Sequence, residues 1–458
     1  MNALLVICGL GFVSLLAEIA NFKKLLTALV ILALVAAIVL GVLDWGAPRA
    51  YYHDMVVFDN FSLAFTALLC TITLAWYVMA RSYFEHQSHQ SDRSALMIFA
   101  LAGGIIMVSF NNMAMLFLGI EILSISLYVL AGSNKSSLFS NEAAFKYFLM
   151  GSFATGFLLM GIALVYGATG SFDITKIFVF VHDHSNTMPR FFHAGLVMIL
   201  IGLTFKISAV PFHFWAPDVY EGSPTPVTAF MSTMVKTAAL GAFVKVFQTC
   251  FTPVQPAFLI ILQVIIVLTL VVANVTAVYQ VSVKRILAYS SIGHVGYILL
   301  ALVASQGSAL GVLFYYMVAY SAASIAAFTV LQAVELSSGS TSVDSFNGLY
   351  YKNPFLAVVM TIAMLSLAGI PPLAGFFGKY LVFAKALEQH GYVPMVILGV
   401  VTSLIGIYYY FKVIVAIYKK ETDTPTPTQY SPVLLVVLTL VILALGIFPD
   451  RVISLLIP

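Results

Sequence analysis

The sequence predicts an all-α polytopic membrane protein with about fourteen transmembrane helices. Hydrophobic residues make up 61% of its 458 residues and charged residues only 9%, whereas soluble proteins carry about 25% charged residues. Long apolar runs recur along the whole chain, and a run of about 20 residues is enough to cross a bilayer. No run alternates apolar and polar residues, which disfavours a membrane β-barrel.

The apolar runs are separated by short polar breaks, and none of the loops is long enough for a nucleotide-binding or catalytic domain. Between spans 4 and 5 only Asn111 and Asn112 mark the boundary. The segment TDTPTPTQ before the last run predicts a stiff linker. We call the runs spans 1 to 14, and they lie at about residues 3–20, 26–43, 60–80, 95–110, 112–132, 141–168, 193–214, 226–250, 257–280, 285–304, 308–334, 354–388, 393–418 and 431–456.

Two spans are interrupted by proline and glycine. Span 7 carries Pro211 and continues into AVPFHFWAPDVYEGSPTPVTAF, and span 12 carries GIPPLAGFFGK with Pro371 and Pro372. Proline lacks the backbone donor, and unpaired backbone in a bilayer is tolerated only inside protein or beside water. Broken helices five spans apart are typical of inverted repeats; two unrelated proline kinks are the alternative.

The inverted-repeat interpretation divides the chain into four parts. Spans 4–8 and 9–13 are the two five-helix repeats, with broken helices 7 and 12. The predicted division is therefore residues 1–94 with spans 1–3, the repeats at 95–250 and 257–419, and residues 420–458 with the linker and the last helix.

An even number of spans places both termini on the same side of the membrane, and basic loop residues indicate which side. Because the opposite face carries ten basic residues and the face of the termini carries six, the sequence predicts both termini outside the cytoplasm. The ten are Lys23, Lys24, Arg81, Arg93, Lys135, Lys284, Arg285, Lys352, Lys419 and Lys420. The six are Arg49, Lys176, Arg190, Lys385, Arg451 and Lys245, which we predict to be interfacial.

Five lysines fall inside the spans, although a charge at a helix centre costs about 2.5–3.5 kcal/mol. Lys146 and Lys412 lie near span ends, where a long side chain can reach the interface. Lys206 and Lys236 lie near the middle of their spans, and Lys379 lies just past the break in span 12. We therefore expect a function for the last three.

Two further titratable residues lie at mid-span. Glu121 needs a partner or a proton, and an interhelical ion pair with a lysine is the expected solution. Burial favours the neutral amine and a nearby carboxylate favours the ammonium, so movement of Glu121 relative to Lys206 would switch that lysine between holding and releasing a proton. His294 alone is typical of a core histidine, but beside Lys236 and Lys379 it predicts a proton relay completed by hydroxyl groups and water.

No other site is predicted. The cysteines Cys8, Cys70 and Cys250 are isolated, which excludes a disulfide framework, a zinc site or an iron–sulfur cluster. No Walker loop, GxGxxG or nucleophile elbow occurs, so we expect no site for NADH, flavin, haem or ATP. The scattered basic residues predict no nucleic-acid binding. Any redox energy would have to come from a partner.

Three segments resemble the signatures of a known family. They are FKISAVPFHFWAPDVYEGSPTPVTAFMSTMVKTAAL, KRILAYSSIGHVGYILL and LAGIPPLAGFFGKYLVF. The chain resembles, over nearly its whole length, the antiporter-like subunits of bacterial proton-pumping NADH:quinone oxidoreductase (complex I, NDH-1). The wording APDVYEGSPTP is similar to the subunit N group rather than to subunits M or L.

The resemblance implies a proton-translocating, non-redox subunit with two inverted repeats. Glu121 matches the helix 5 glutamate, Lys206 its helix 7 lysine partner, Lys236 the central helix 8 lysine, His294 the helix 10 position and Lys379 the helix 12 position. It implies no cofactor in this chain, with NADH, FMN, iron–sulfur clusters and quinone in partner subunits. The implied partners are other membrane subunits and lipid, in the bacterial inner membrane.

Three other readings stay open at this point. A subunit of a multi-subunit cation/proton antiporter or of a membrane-bound hydrogenase would share the fold. A stand-alone secondary transporter would need a roomy substrate site at the midplane. A membrane scaffold without activity does not explain three buried lysines and a buried glutamate, because each charge is costly.

Overall fold

The computed structural model describes residues 1–19, 23–81, 83, 90–185, 187–304, 310–420 and 425–456, and most of them are helical. Helices dominate because long apolar segments in a bilayer must pair every backbone donor and acceptor internally. The principal helices are Asn2–Ile19, Lys23–Leu43, Asn60–Met79, Gln90–Ser109, Met113–Ala131, Leu138–Thr169, Arg190–Ile207, Trp215–Gly222, Thr225–Phe247, Gln255–Val278, Val283–Ala304, Leu310–Ser338, Pro354–Ala368, Ala374–Leu387, Val393–Tyr418 and Pro432–Ile447.

The predicted fold class is confirmed: the chain is an all-α, multi-pass membrane protein. Within the described ranges, eleven helices are long and apolar enough to cross a membrane, or twelve with the bent pair Pro432–Ile447 and Asp450–Leu456. The apolar part of the first helix, Asn2–Ala17, and the helix Pro354–Ala368 are shorter. Every one of the fourteen predicted spans overlaps one of these helices. Residues 421–424 of the predicted linker lie outside the described residues.

Several short elements were not predicted, among them a strand pair and a helix outside the spans. Strands β1 (Arg49–Tyr51) and β2 (Val56–Phe58) form an antiparallel hairpin between spans 2 and 3. The helix Ile174–His184 lies between spans 6 and 7, where the Asp173 side chain accepts hydrogen bonds from its first turn. Strands of three residues are too short for a recognisable alternation, and a helix of eleven residues is too short to be a span.

The described chain forms two compact units. Unit 1 contains Met1–Tyr77, Tyr83–Ser208 and Met234–Leu262, and unit 2 contains Val78–Ser82, Ala209–Thr233 and Gln263–Pro458. Both units have apolar side chains in their cores. The repeats at residues 95–250 and 257–419 stay a prediction.

Spans 6 and 7 of unit 1 pack with their backbones close together. A Cβ atom on Gly161 would lie 2.7 Å from the carbonyl oxygen of Gly195, and one on Gly195 would lie 3.0 Å from that of Gly161. Small residues allow this approach where helices pack within a membrane. The contact fixes span 6, which carries Tyr147, against the helix that carries Lys206.

The predicted break in span 7 lies at the end of the helix Arg190–Ile207. Ser208 adopts a left-handed conformation, with φ 63° and ψ 37°, and its N–H donates to the carbonyl of Phe205. A left-handed non-glycine residue costs roughly 1–2 kcal/mol, so the surroundings must hold this end in place. Pro211 follows, and the helix resumes at Trp215.

The first half of span 12 also ends at a residue in the left-handed conformation. The helix Pro354–Ala368 ends at Gly369, which has φ 85° and ψ 43°, and the second half begins at Ala374. The Gly369 N–H donates to the carbonyls of Leu365 and Ser366. The bonds Val210–Pro211 and Pro371–Pro372 are both cis.

Replacing Gly369 by alanine should destabilise the protein more than the same change at Gly170. Both glycines have positive φ, which costs alanine roughly 1–2 kcal/mol. A Cβ at Gly170 meets open space, whereas one at Gly369 would lie 2.9 Å from Cδ of Lys379. We expect Gly369→Ala to melt at a lower temperature in detergent than Gly170→Ala. Equal melting temperatures would contradict the crowding at this break.

Candidate proton-transfer site

The five predicted site residues lie in both units. Glu121, Lys206 and Lys236 belong to unit 1, and His294 and Lys379 belong to unit 2. The exposed fractions are 5% for Lys206, 2% for Lys236, 5% for His294 and 6% for Lys379. Four titratable side chains are therefore withdrawn from water inside apolar helices.

Lys206 lies in the last turn of the first half of span 7. Its Nζ atom donates hydrogen bonds to Ser124 Oγ at 2.8 Å and to Tyr147 OH at 3.4 Å. The same atom lies 5.7 Å from the centre of the Tyr147 ring. The unpaired carbonyls at a helix C-terminus favour a cation, so the break creates a position suited to this ammonium.

The expected ion pair between Glu121 and Lys206 is not formed in this structure. Glu121 is half-buried, and its Oε1 atom has no hydrogen-bond partner among the described residues. Ser124 lies three residues later, on the same face of the helix Met113–Ala131. The lysine is therefore held beside the carboxylate by a neutral hydroxyl, and a buried carboxylate oxygen is left to bind water, a proton or a displaced lysine.

Lys236 begins the helical segment Lys236–Val244, directly after the π-helical segment Met231–Val235. Single π-helical turns occur often at functional sites, because they open the regular hydrogen-bond ladder. Within unit 1 this helix packs against Gln90–Ser109 and Arg190–Ile207, the helix of Lys206. Lys236 is thus buried next to the helix of the first lysine.

His294 lies between two tyrosine hydroxyls. Its Nδ1 atom is 2.7 Å from Tyr316 OH, and its Nε2 atom is 3.3 Å from Tyr410 OH. Tyr410 OH is also hydrogen-bonded to Ser290 Oγ. An imidazole with a hydroxyl at each nitrogen can accept a proton on one side and release one on the other.

Lys379 closes the break in span 12. Its Nζ atom donates to the carbonyl of Ala368 at 2.8 Å and to Ser403 Oγ at 2.9 Å. Ala368 is the last residue of the first half of the span, where carbonyls lose their intrahelical partners. Nζ also lies 5.1 Å from the centre of the Tyr297 ring. The second half of the broken helix therefore caps the first half.

A small cavity of about 10 Å³ in unit 2, which has room for about one water molecule, lies beside the histidine. It reaches from His294 to the second half of span 12, one residue before Lys379. Hydroxyl and imidazole groups in its wall are the partners that a buried water needs. Its lining includes His294, Tyr316, Tyr320, Ser366, Gly375 and Gly378.

Several side chains that contact the predicted site residues were missed from the sequence. Ser290 and Tyr297 could have been found, because they are spaced i−4 and i+3 from His294 and share its helix face. The other hydroxyl partners come from distant helices and leave no local pattern; they are Ser124, Tyr147, Tyr316, Ser403 and Tyr410.

Two lysines that the sequence analysis assigned to the membrane interface or to loops are buried in the structure. Lys245, predicted to be interfacial, is buried, and its Nζ lies 5.3 Å from the centre of the Phe110 ring. Lys284, counted with the loop cations, is 3% exposed. Its Nζ donates to the carbonyls of Ser223 at 2.7 Å and Glu221 at 3.3 Å and lies 3.7 Å from the Glu335 carboxylate.

Among the residues that the structure describes, no group of three or more His, Cys, Asp or Glu side chains could hold a metal ion. The available chemistry is that of lysine, histidine, glutamate and hydroxyl groups in an apolar interior. These groups can hold and move protons.

Comparisons with known proteins identify the family of this chain. Residues 110–406 match the sequence model of the family described as NADH:quinone oxidoreductase/Mrp antiporter, TM. NADH-quinone oxidoreductase subunit N of Cytophaga hutchinsonii is 44% identical over 455 residues, which cover 98% of each chain. The chain belongs to the NADH-quinone oxidoreductase subunit N family.

Solved structures are similar to this subunit N family member over its full length. A chain of respiratory complex I from Thermus thermophilus with bound aureothin aligns with a TM-score of 0.85 and 33% identity, covering 99% of this chain and 98% of that chain. A chain of the Mrp complex from Dietzia sp. has a TM-score of 0.89 at 21% identity, covering 99% and 95%. The second likeness concerns the fold alone.

Exchanging Lys379 for methionine should leave stability within about 1 kcal/mol of the parent, because a buried charge is replaced by an apolar side chain of similar length. Lys284→Met is the matched control: it leaves the Glu335 carboxylate without its cation and should cost about 1–3 kcal/mol. Melting temperatures in detergent measure both. If Lys379→Met unfolds more readily than Lys284→Met, Lys379 is a structural cation.

Proposed function

We propose that this chain is a proton-translocating subunit of a membrane-bound NADH:quinone oxidoreductase. The observation that carries the proposal is the setting of Lys206 and Lys379. Each lysine lies at the break of an apolar helix, and the hydrogen-bond acceptors of both are neutral oxygens. A permanent structural cation in such a place would be expected to pair with a carboxylate.

Burial opposes the charged form of a lysine, whereas hydrogen bonds from its ammonium group to neutral oxygens support that form. A nearby carboxylate can then shift the balance. Moving one charge across 100 mV requires about 2.3 kcal/mol, and a hundredfold change in proton affinity supplies about 2.7 kcal/mol. One such switch is therefore of the required size.

The roles follow from the contacts within each unit. In unit 1, Glu121 acts as the switch on Lys206, Ser124 holds the lysine between exchanges, and Lys236 is the next proton carrier. In unit 2, His294 passes protons between its tyrosine partners, and Lys379 exchanges them at the break of span 12.

The proposed assembly follows from the subunit N family. The chain would join neighbouring antiporter-like and small membrane subunits in the bacterial inner membrane, with both termini on the periplasmic side. NADH, FMN, iron–sulfur clusters and quinone would be bound by partner subunits, and quinone reduction there would drive the proton movement. This chain would contribute no redox group.

The assembly is tested by purifying the tagged chain in mild detergent and staining a native gel for NADH dehydrogenase activity. A large complex that oxidises NADH is the expected result. A smaller complex without this activity would favour a cation/proton antiporter or a membrane-bound hydrogenase. A lone chain would favour a stand-alone secondary transporter.

Lys236→Ala should leave assembly intact and reduce proton pumping together with coupled turnover, because a buried proton carrier is lost. Pumping is measured by dye quenching in vesicles during NADH oxidation. Lys146→Ala is the control, since Lys146 is exposed and paired with Glu142 at 2.7 Å. Wild-type pumping by an assembled Lys236→Ala enzyme would eliminate its relay role.

Glu121→Gln should also reduce pumping, because the amide keeps the shape of the carboxylate and loses its charge. Glu121→Asp keeps the charge and should have a milder effect. Glu142→Gln, which removes an exposed carboxylate, is the control. The charge switch on Lys206 is wrong if Glu121→Gln pumps like the parent enzyme.

A further inference from the structure

A cluster of charged residues lies in unit 2 near the ends of spans 8, 10 and 11, which the predicted fourteen-span topology assigns to the face opposite the termini. Span 11 contributes Glu335, and span 10 contributes Lys284 and Arg285. Arg285 Nη1 lies 3.1 Å from an oxygen of Asp218 and 2.8 Å from one of Glu221. These side chains belong to no part of the relay described above.

Glu335 is the member of this cluster that connects the surface with the interior. Its side chain is 32% exposed, while that of its partner Lys284 is 4% exposed. The other carboxylate oxygen accepts a hydrogen bond from the Thr225 hydroxyl, at the start of span 8. The carboxylate is thus open to water on one side and bound to buried groups on the other.

Spans 8 and 11 both carry polar side chains between Glu335 and Tyr320. The two helices meet again where Ser232 Oγ lies 2.8 Å from Tyr320 OH. Span 8 carries Thr225, Thr228 and Ser232 at spacings of three and four residues, which places them on one face. We call the stretch between these two contacts the polar seam.

Span 11 supplies the other side of the polar seam. Tyr320 and its neighbour one turn later, Ser324, share a face of this helix, and Gln332 lies two turns further on; all three are buried. Tyr320 leads to the proposed relay, because its ring centre lies 4.9 Å from that of His294. Glu335 and Tyr320 are fifteen residues apart, or about 22 Å along the helix.

The outer end of the polar seam has an unfilled hydrogen-bonding group. Ser223 is fully buried, and its Oγ atom has no hydrogen-bond partner among the described residues. Ser223 also supplies the carbonyl that binds Lys284. Buried hydroxyls without a protein partner commonly bind water, so this end of the seam is suited to hydration.

We propose that Glu335 is the group through which unit 2 takes up protons from the aqueous face opposite the termini, and that the polar seam conducts them to His294. This inference rests on the proposed function. A hydronium ion protonates the Glu335 carboxylate and leaves as water. The carboxylic acid then passes the proton along hydroxyl groups and water to an imidazole nitrogen, and the hydroxyl groups rotate back.

The charges around Glu335 suit such an exchange. Lys284 at 3.7 Å is the cation nearest to it in this cluster, and it is also held by two carbonyls, so it stays fixed when the carboxylate is neutral. Arg285 is engaged by Asp218 and Glu221. If the Glu335–Lys284 ion pair served only stability, a permanent negative charge at position 335 would be sufficient. Proton uptake requires in addition that the group at position 335 can be protonated, and this difference can be tested.

The test uses Glu335→Cys in the complete enzyme, reconstituted in liposomes with the NADH-oxidising side outward. Proton pumping is measured before and after reaction with a thiosulfonate that carries either a sulfonate or a carboxylate. Both groups restore the negative charge beside Lys284. Because a sulfonate does not take up a proton near neutral pH, only the carboxylate should restore pumping from its low value.

Three outcomes would overturn the proposal: full pumping by the unmodified cysteine variant, equal rescue by both reagents, or rescue by neither. The reagents are also applied to the parent enzyme, in which Cys70 and Cys250 are buried and Cys8 is partly exposed. Glu388→Gln, which removes an exposed carboxylate beside Lys385, should pump normally.

Lys379→Met measured in the same liposomes separates the two proposals. If Lys379→Met abolishes pumping while Glu335→Cys pumps fully, the uptake role of Glu335 is wrong and the proposed function stands. If Lys379→Met pumps fully, the proposed relay itself fails, whatever the result at Glu335.

Discussion

The structure depends on one constraint: an ammonium group in an apolar interior must be given oxygen partners by the protein. In spans 7 and 12 these oxygen partners lie next to a break in the helix. The first half of span 7 ends beside Lys206, and Lys379 binds the carbonyl of Ala368 at the end of the first half of span 12. Each break exposes carbonyls that favour a cation. The broken helix therefore stabilises the buried ammonium group, and the ammonium group stabilises the carbonyls that the break leaves unpaired.

The partners of these lysines explain why the arrangement suits movement of protons. Ser124 and Ser403 each accept one hydrogen bond from a lysine, and Tyr147 and Tyr297 present ring faces to it. Hydroxyls and rings stabilise the ammonium without fixing it, whereas a carboxylate in direct contact would hold the charge more firmly. The Oε1 atom of Glu121, which has no hydrogen-bond partner among the described residues, remains available to interact with Lys206.

The sequence was sufficient for the spans, the two breaks and the burial of the key lysines, because hydropathy, proline and charge are local signals. The sequence did not predict the hydrogen-bond partners of these buried side chains. Ser124, not Glu121, binds Lys206, and Tyr410 reaches His294 from a helix more than a hundred residues away. Lys284 seemed a loop cation because it lies at a helix start, but it is buried against Glu221 and Ser223, at the end of the helix Trp215–Gly222, and against Glu335 of span 11.

The most direct test of the central claim is the proton-to-electron ratio of the reconstituted enzyme with Lys379→Arg. Arginine keeps the positive charge at the break but does not release its proton in proteins. If Lys379 works by exchanging a proton, the ratio falls although the complex assembles and oxidises NADH. An unchanged ratio would show that a fixed positive charge is sufficient, which would contradict the account.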